Sequence, residues 1–221
     1  AALESPPEVM VVAGTVAAYA YPYRRLPLRE EDFWVGQPHP AEGLYAAGKR
    51  VAIPFLEGLA QLGAGARFAI LTNLFGAHDH FGRADAHVVP SLVARFADAA
   101  RDGAADVAVW GRPETTRDFL WAGDAARHLV DLADSAATDR GYEAVNVGSG
   151  RETTMGILAT TIARAAGFDG RIEWDGTAPV GIRTRSLDVS RLREVSRHRP
   201  TDLPSAIDAT MDWYRRHRQA A

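Results

Sequence analysis

Apolar positions recur along this chain with two different periods. Short apolar runs at residues 8–13, 67–72, 106–109, 118–121 and 143–147 have strand length and are rich in Val, Ile and aromatic residues. Between and beyond them, apolar residues return at helical spacing over 44–62, 88–101, 124–136, 153–166 and 203–216. Buried strands alternating with helices predict an α/β fold with a parallel sheet and crossover helices. Gly167 directly after the fourth helical stretch predicts its stop. Pro54 and Pro90 lie inside two of the stretches and predict kinks or late helix starts, while the proline-rich segments 22–27 and 38–40 predict surface loops. No internal repeat, low-complexity tract or flexible linker interrupts the pattern.

The ends add two expectations. The apolar run 9–21 has Glu4 and Glu8 where a secretory leader carries basic residues, so it reads as strand and loop, not as a targeting signal. A chain that enters a buried strand so soon reads as a fragment of a longer fold. At the other end, Arg215, Arg216 and Arg218 follow Trp213 and Tyr214 on the last helix, the arrangement of cations near a helix C-terminus.

Composition narrows the function. The 221 residues hold 25 basic and 28 acidic side chains, a formal charge of −3, which offers no electrostatic case for nucleic acid or an anionic membrane. No window approaches the ~20 apolar residues a membrane span needs. With no cysteine, disulfides, thiolate zinc sites and cysteine nucleophiles are excluded, and a cytoplasmic location fits. Of the basic residues 24 are arginine, and Lys49 is the one lysine.

Lys49 stands four residues after Tyr45, which places both on one helix face about a turn apart. An ammonium beside a phenol favours the phenolate and moves it toward the range of a general acid or base. Arginine is a poorer choice there, because its planar fork is not a compact point charge. Upstream, the strand 8–13 runs into Gly14 and Thr15, whose hydroxyl is suited to meet a carbonyl oxygen at the carboxyl edge of a parallel sheet, where ligands bind in open α/β folds. Thr15, Tyr45 and Lys49 together have the chemistry of hydride exchange at a carbinol or ketone.

Further motifs follow in order: Leu71-Thr72-Asn73-Leu74-Phe75-Gly76, His78-Asp79-His80-Phe81, His87-Val88-Val89-Pro90, Val109-Trp110-Gly111, Arg117-Asp118-Phe119-Leu120, Asn146-Val147-Gly148-Ser149-Gly150 and Arg185-Ser186-Leu187-Asp188. With Gly14-Thr15 and Tyr45 to Lys49, their order and spacing identify the chain as similar to the extended short-chain dehydrogenase/reductase (NAD-dependent epimerase/dehydratase) family, and within it to the GDP-L-fucose synthase branch. The resemblance implies a partial doubly wound, Rossmann-like parallel sheet over residues 1–76. It also implies a sugar-nucleotide lobe over 77–221, with strand 143–147 returning to the sheet. It implies a nicotinamide-dependent reductase/epimerase, using NADP(H) or NAD(H), acting on a nucleotide-activated 4-keto sugar. Catalysis would fall to Thr15, Tyr45, Lys49 and His87. The cofactor would be met by Tyr45, Lys49, Leu71 and Asn73, and the sugar nucleotide by Asn73, Trp110, Arg117 and Arg185. Arginine suits a diphosphate through bidentate hydrogen bonds; the competing role for Arg117 and Arg185 is ion pairing with Asp118 or Asp188. Family members often pair through a four-helix contact that uses the helix bearing Tyr45, so a homodimer is expected. No metal is expected: the run His78-Asp79-His80 with Asp85 and His87 has short ligand spacing, but it is also the loop pattern of the family.

Two departures qualify this. The branch pairs its histidine with a cysteine, whose place here is taken by Ala17, with Tyr19 and Tyr21 nearby as candidate substitutes. The sequence also holds no glycine-rich turn between a first strand and a first helix, the element that cradles a dinucleotide pyrophosphate; Gly63-Ala64-Gly65 precedes a strand instead. The alternative to an enzyme is therefore a non-catalytic sugar-nucleotide-binding protein or subunit without the cofactor half.

Overall fold

The computed structural model describes residues 5–83, 85–177 and 181–218. In chain order the elements are β1 (Val9–Ala13), α1 (Gly43–Arg50), α2 (Ala52–Gln61), β2 (Gly65–Leu71), β3 (Asn73–Phe75), α3 (Val88–Asp102), β4 (Asp106–Trp110), β5 (Thr116–Arg117) and β6 (Phe119–Trp121). There follow α4 (Ala122–Thr138), β7 (Gly141–Val147), β8 (Thr153–Thr154), α5 (Met155–Ala166), β9 (Arg171–Asp175), β10 (Thr184–Arg185), α6 (Ser190–Val195) and α7 (Leu203–His217). The α/β class stands, and each predicted strand and helix is present. The stretch 44–62 is two helices, because Pro54 has no N–H to offer the Arg50 carbonyl and α1 ends at that residue. Pro90 is the third residue of α3, within the first turn, where N–H groups have no intrahelical acceptor. Gly167 takes the left-handed conformation that closes α5.

The chain forms two compact units. One consists of the described residues up to Asn73 with Gly123–Arg151 and Ser186–Arg199; the other consists of Leu74–Ala122, Glu152–Arg185 and the described residues from Pro200 on. The expected return of strand 143–147 to the sheet is present as β7, and residues 186–199 also belong to the first unit, so the chain crosses between the units several times. The reason is the parallel sheet of the first unit, ordered β1-β2-β7, whose third strand comes from the second half of the chain. Strand β2 lies at the centre and is buried along almost its whole length. Gly65 at its start is required by close approach, since a Cβ there would lie 1.9 Å from the Ala136 carbonyl oxygen of α4. Arg67, in the middle of β2, is fully buried, and its guanidinium donates to the carbonyls of Gly141 (3.0 Å) and Asp139 (2.7 Å) at the entry to β7.

Helix α4 is joined to the segment after α6 by a buried polar cluster. The Ser196 hydroxyl donates to Asp131, so His128 Nδ1, 2.8 Å from Ser196 Oγ, carries the proton of that pair. His128 Nε2 is buried with no hydrogen-bond partner among the described residues. The His198 ring packs edge-on against His128, and its Nε2 lies 2.8 Å from Asp124, which also accepts from Arg127. Burial, reinforced by His198, holds the His128 imidazole below the ordinary histidine range, against the opposing pull of Asp131 and Asp124. A histidine with a depressed native pKa contributes stability above its unfolded value of about 6.5 and loses it as pH falls from there through the native value. The urea midpoint is therefore expected to drop on acidification from about pH 7 toward pH 5, and the His128→Gln variant to show a flatter profile. Identical slopes in the two proteins would exclude His128 as the source.

The second unit contains a parallel pair β4-β9, the three short strands β10-β5-β8 and the pair β3-β6. Helices α3, α5 and α7 supply most of its core, including Leu92, Val93, Phe96, Leu158, Ile162, Ile207 and Met211. Caps fix their starts: Thr154 accepts from the Ile157 N–H at α5, and Asp202 from the Ser205 N–H at α7. Of the C-terminal arginines, Arg215 donates to the Ala166 carbonyl (2.8 Å) and Arg218 pairs with Asp98. Among the described residues no helix is long and apolar enough to cross a membrane.

Candidate functional site

In the first unit the carboxyl ends of β1 and β2 lie side by side, with Ala13 in register with Ala69. The Gly14 N–H extends this ladder to the Ala69 carbonyl at 2.7 Å, and a Cβ at Gly14 would lie 2.4 Å from the Phe68 ring. The approach of the buried Phe68 ring is what favours glycine between β1 and Thr15. Thr15 caps the single 3-10 turn Val16–Ala18: its Oγ1 accepts from the Ala17 N–H at 3.2 Å, which leaves the hydroxyl proton to donate. Ala17, where the resemblance led to the expectation of a cysteine, is buried, and its N–H makes this bond to Thr15.

Helix α1 brings Lys49 to the same edge. Its ammonium donates to the Ala13 carbonyl at 3.0 Å and keeps two further N–H groups, and it lies 5.9 Å from the Tyr45 ring centroid. The Tyr45 ring is 58 % exposed, and its hydroxyl has no hydrogen-bond partner among the described residues. Leu71 ends β2, Thr72 is tied to the Val147 carbonyl at 3.0 Å, and Asn73 opens β3 immediately after. Thr15, Lys49, Leu71 and Asn73 thus gather at the carboxyl edge of one sheet, with Tyr45 a turn away on the helix bound to it.

Two groups of this unit were not foreseen. Asn146 on β7 is fully buried and joins three segments: its side-chain amide donates to the carbonyls of Leu28 (3.0 Å) and Asp188 (2.9 Å), and its backbone N–H to Glu30 Oε1 (2.9 Å). Its Oδ1 accepts from the Tyr19 hydroxyl at 2.6 Å. Tyr19 is 1 % exposed, and burial, with Glu30 next, pushes its phenol far above the ordinary tyrosine range. Tyr19 is therefore removed as a substitute acid, which corrects the expectation; Tyr21 is exposed and packs against Tyr23 and His39. The second group, Arg50, follows Lys49 and is buried.

In the second unit His87 occupies the N-cap of α3, where its carbonyl accepts from the Ser91 N–H at 3.0 Å; the imidazole makes no cap bond and is exposed. Trp110 ends β4 and is 71 % exposed, with the Arg95 guanidinium 5.6 Å from its ring centroid. Arg117 and Arg185 stand opposite each other in the β5-β10 register, Arg185 being buried. Arg117 donates to its neighbour's carbonyl at Thr116 (2.7 Å). Asp188, one candidate ion-pair partner, is taken by Arg29 at 3.1 Å.

The histidine-rich loop points its groups in different directions. His78, held at φ +64°, packs on Trp213 with centroids 4.8 Å apart, Asp79 accepts from the His80 N–H at 2.8 Å, and Asp85 binds Arg83 at 3.0 Å. Among the described residues no three His, Asp or Glu side chains are grouped to hold a metal.

The model of the NAD dependent epimerase/dehydratase family matches residues 1–148. GDP-L-fucose synthase of Escherichia coli is 33 % identical over 195 residues, covering 85 % of this chain and 61 % of its own length. A probable GDP-L-fucose synthase of Oryza sativa is 34 % identical over 189 residues, covering 85 % and 57 %. The chain thus spans about three fifths of the length of these relatives. The crystal structure of a GDP-L-fucose synthetase from Naegleria fowleri superposes with a TM-score of 0.86 at 25 % identity, covering all of this chain and 69 % of that one. Its NADP-bound form gives 0.82 at 26 % identity and covers 70 % of that chain.

Proposed function

Because the chain belongs to the NAD dependent epimerase/dehydratase family, we propose that it acts as a nicotinamide-dependent reductase and epimerase on a 4-keto sugar carried by GDP. The observation that carries this reading is the edge where Lys49, bound to the Ala13 carbonyl, sits beside Tyr45 and the strand leading to Thr15. Relatives named as GDP-L-fucose and GDP-L-colitose synthases point to the GDP sugar, and the NADP-bound neighbour to NADP(H). The cytoplasm fits such soluble nucleotide substrates.

The residues present fit the nicotinamide-ribose side of a dinucleotide. Lys49 has two N–H groups to spare for ribose hydroxyls, Tyr45 offers an open hydroxyl, and Leu71 and Asn73 border the same edge. When bound, the nicotinamide supplies the hydride. The Thr15 hydroxyl donates to the keto oxygen and orients it, while Tyr45 gives that oxygen its proton and the Lys49 ammonium stabilises the phenolate left behind. His87 removes the proton from a carbon beside the ketone. Trp110 offers an aromatic face to the base. Arg117 and Arg185, opposite each other in the β5-β10 register, take the diphosphate through bidentate hydrogen bonds. Incubating a form that also contains a glycine-rich cofactor-binding turn with a GDP-linked 4-keto-6-deoxyhexose and NADPH tests this. Oxidation of NADPH coupled to sugar reduction is expected, and neither turnover nor sugar-nucleotide binding by calorimetry would sink the reading.

A homodimer is proposed as well, built on the face of α1 and α2 that carries Leu44, Val51, Phe55 and Leu62. These follow at spacings of seven, four and seven and are all exposed, Leu44 at 95 % and Val51 at 69 %. Gly48 and Gly58 lie between them on the same stripe, open enough for a second helix pair to approach. Val51→Glu is expected to turn a dimer into a monomer in sedimentation velocity without loss of helix content. A wild-type chain that stays monomeric at about 100 μM would overturn this, since stable interfaces of ordinary size hold well below that concentration.

A further inference from the structure

The connection from β1 to α1 is long and holds only three single-turn 3-10 helices, yet it begins at Thr15 and ends at the helix bearing Tyr45 and Lys49. Loops of that length without regular structure need an internal organiser. Arg50 has the contacts of one. Its guanidinium is buried and donates to three backbone carbonyls of that connection: Nε to Ala18 at 2.9 Å, one Nη to Gly36 at 2.9 Å and the other to Phe33 at 2.7 Å. It also lies over the Phe33 and Trp34 rings, at 5.2 and 5.0 Å from their centroids. No carboxylate among the described residues pairs with it, so its fork is spent on the directions of carbonyl groups, not on neutralising a charge. A lysine ammonium, one point at the end of a flexible stem, does not reproduce that fork.

The Ala18 carbonyl belongs to the 3-10 turn capped by Thr15. In that turn the Ala18 N–H donates to the Thr15 carbonyl at 3.1 Å and the Ala17 N–H to the Thr15 hydroxyl at 3.2 Å. Lys49 grips Ala13 on one side of Gly14-Thr15, and Arg50, the next residue of the same helix, grips Ala18 on the other. We propose that Arg50 is a positioning residue, whose guanidinium holds the Thr15 turn in fixed register with the helix that carries Tyr45 and Lys49. It touches neither substrate nor cofactor. Its effect on turnover rests on the reductase reading given above; its effect on the turn does not.

The experiment compares wild type with Arg50→Lys and Arg50→Gln by hydrogen exchange, by amine acylation and by steady-state kinetics. Exchange at the amides of residues 16–19 and 33–36 should quicken about tenfold or more in both variants while that of the β2 amides stays unchanged. In wild type and Arg50→Gln Lys49 is the one lysine, so its acylation rate is read there without interference from other side-chain amines, and it should rise in Arg50→Gln as the Ala13 contact loosens. In turnover, kcat should fall about tenfold to a hundredfold with KM within about twofold, because a misplaced hydroxyl weakens the transition state more than substrate binding. Arg50→Lys should not rescue it. Unchanged exchange in residues 16–19 would overturn the clamp. Loosened exchange with unchanged kcat and unchanged Lys49 acylation would overturn the positioning role. A wild type that binds no sugar nucleotide and does not oxidise NADPH would instead overturn the function, with exchange and acylation still deciding the clamp. A variant that fails to fold shows protection lost in β2 also, and Arg50→Met, which keeps the length and apolar stem, then replaces it.

Discussion

Replacing Tyr45 by Phe is expected to lower turnover about a hundredfold or more while leaving sugar-nucleotide affinity unchanged, the size of effect that a lost general acid produces. The phenol hydroxyl is the only group removed; the ring and its place on α1 stay. Its exposure means that no buried hydrogen bond is broken, so the melting temperature should hold. Lys49 should keep its bond to Ala13, since that contact does not pass through Tyr45. Lys49→Met should, in contrast, raise KM for NADPH as well as lower kcat, because it removes the donor that the proposed function assigns to the ribose. Stopped-flow traces of NADPH oxidation with calorimetry of the GDP sugar separate the two. Wild-type turnover by the Phe variant would remove Tyr45 from the mechanism.

Long elements were legible because burial imposes a period on them. Strand β2 reads as an apolar run broken only by Arg67, since both faces are covered, and α3 and α5 show the stripes that meet in the second unit's core. The two-residue strands β5, β8 and β10 carry no period at all and exist only through their partners. Strand β9 alternates, as Ile172 and Trp174 show, but its charged residues disguise it. The return of strand 143–147 to the sheet came from the family resemblance and not from any local run, because the order β1-β2-β7 is set by long-range pairing.

The site divides in the same way. Tyr45 and Lys49 could be read from a spacing of four together with a lone lysine, and Thr15 from its place after a strand. Arg50 could not, because its partners are backbone carbonyls and any sequence supplies those. Asn146 sat in plain view within a recognisable motif, but its three partner segments meet only in the folded sheet. Tyr19 gave a misleading cue. A phenol close to a missing cysteine suggests an acid, and only the structure shows that the ring is buried and its hydroxyl donates a hydrogen bond to Asn146 Oδ1.

That correction sharpens the expectation for epimerisation. Inverting two carbons on either side of a ketone requires proton removal on one face and return on the other at each centre. The chain has no cysteine, Ala17 offers no proton, and the Tyr19 phenol is shut away and held in its neutral form by burial. His87 is exposed at the head of α3 with its imidazole uncommitted to the helix cap, and an imidazole is an effective base near neutrality. One carbon, not two, should therefore exchange efficiently. In deuterated solvent, with a GDP-linked 4-keto-6-deoxyhexose and no reductant, label should enter no more than one ring position by NMR. His87→Asn should abolish that exchange while hydride transfer from NADPH stays measurable, because the proposed function gives Tyr45 and Thr15 the carbonyl oxygen and not the carbon acid. Fast exchange at both positions would contradict this, and Tyr21→Phe would then show whether the exposed Tyr21 phenol serves as the second acid.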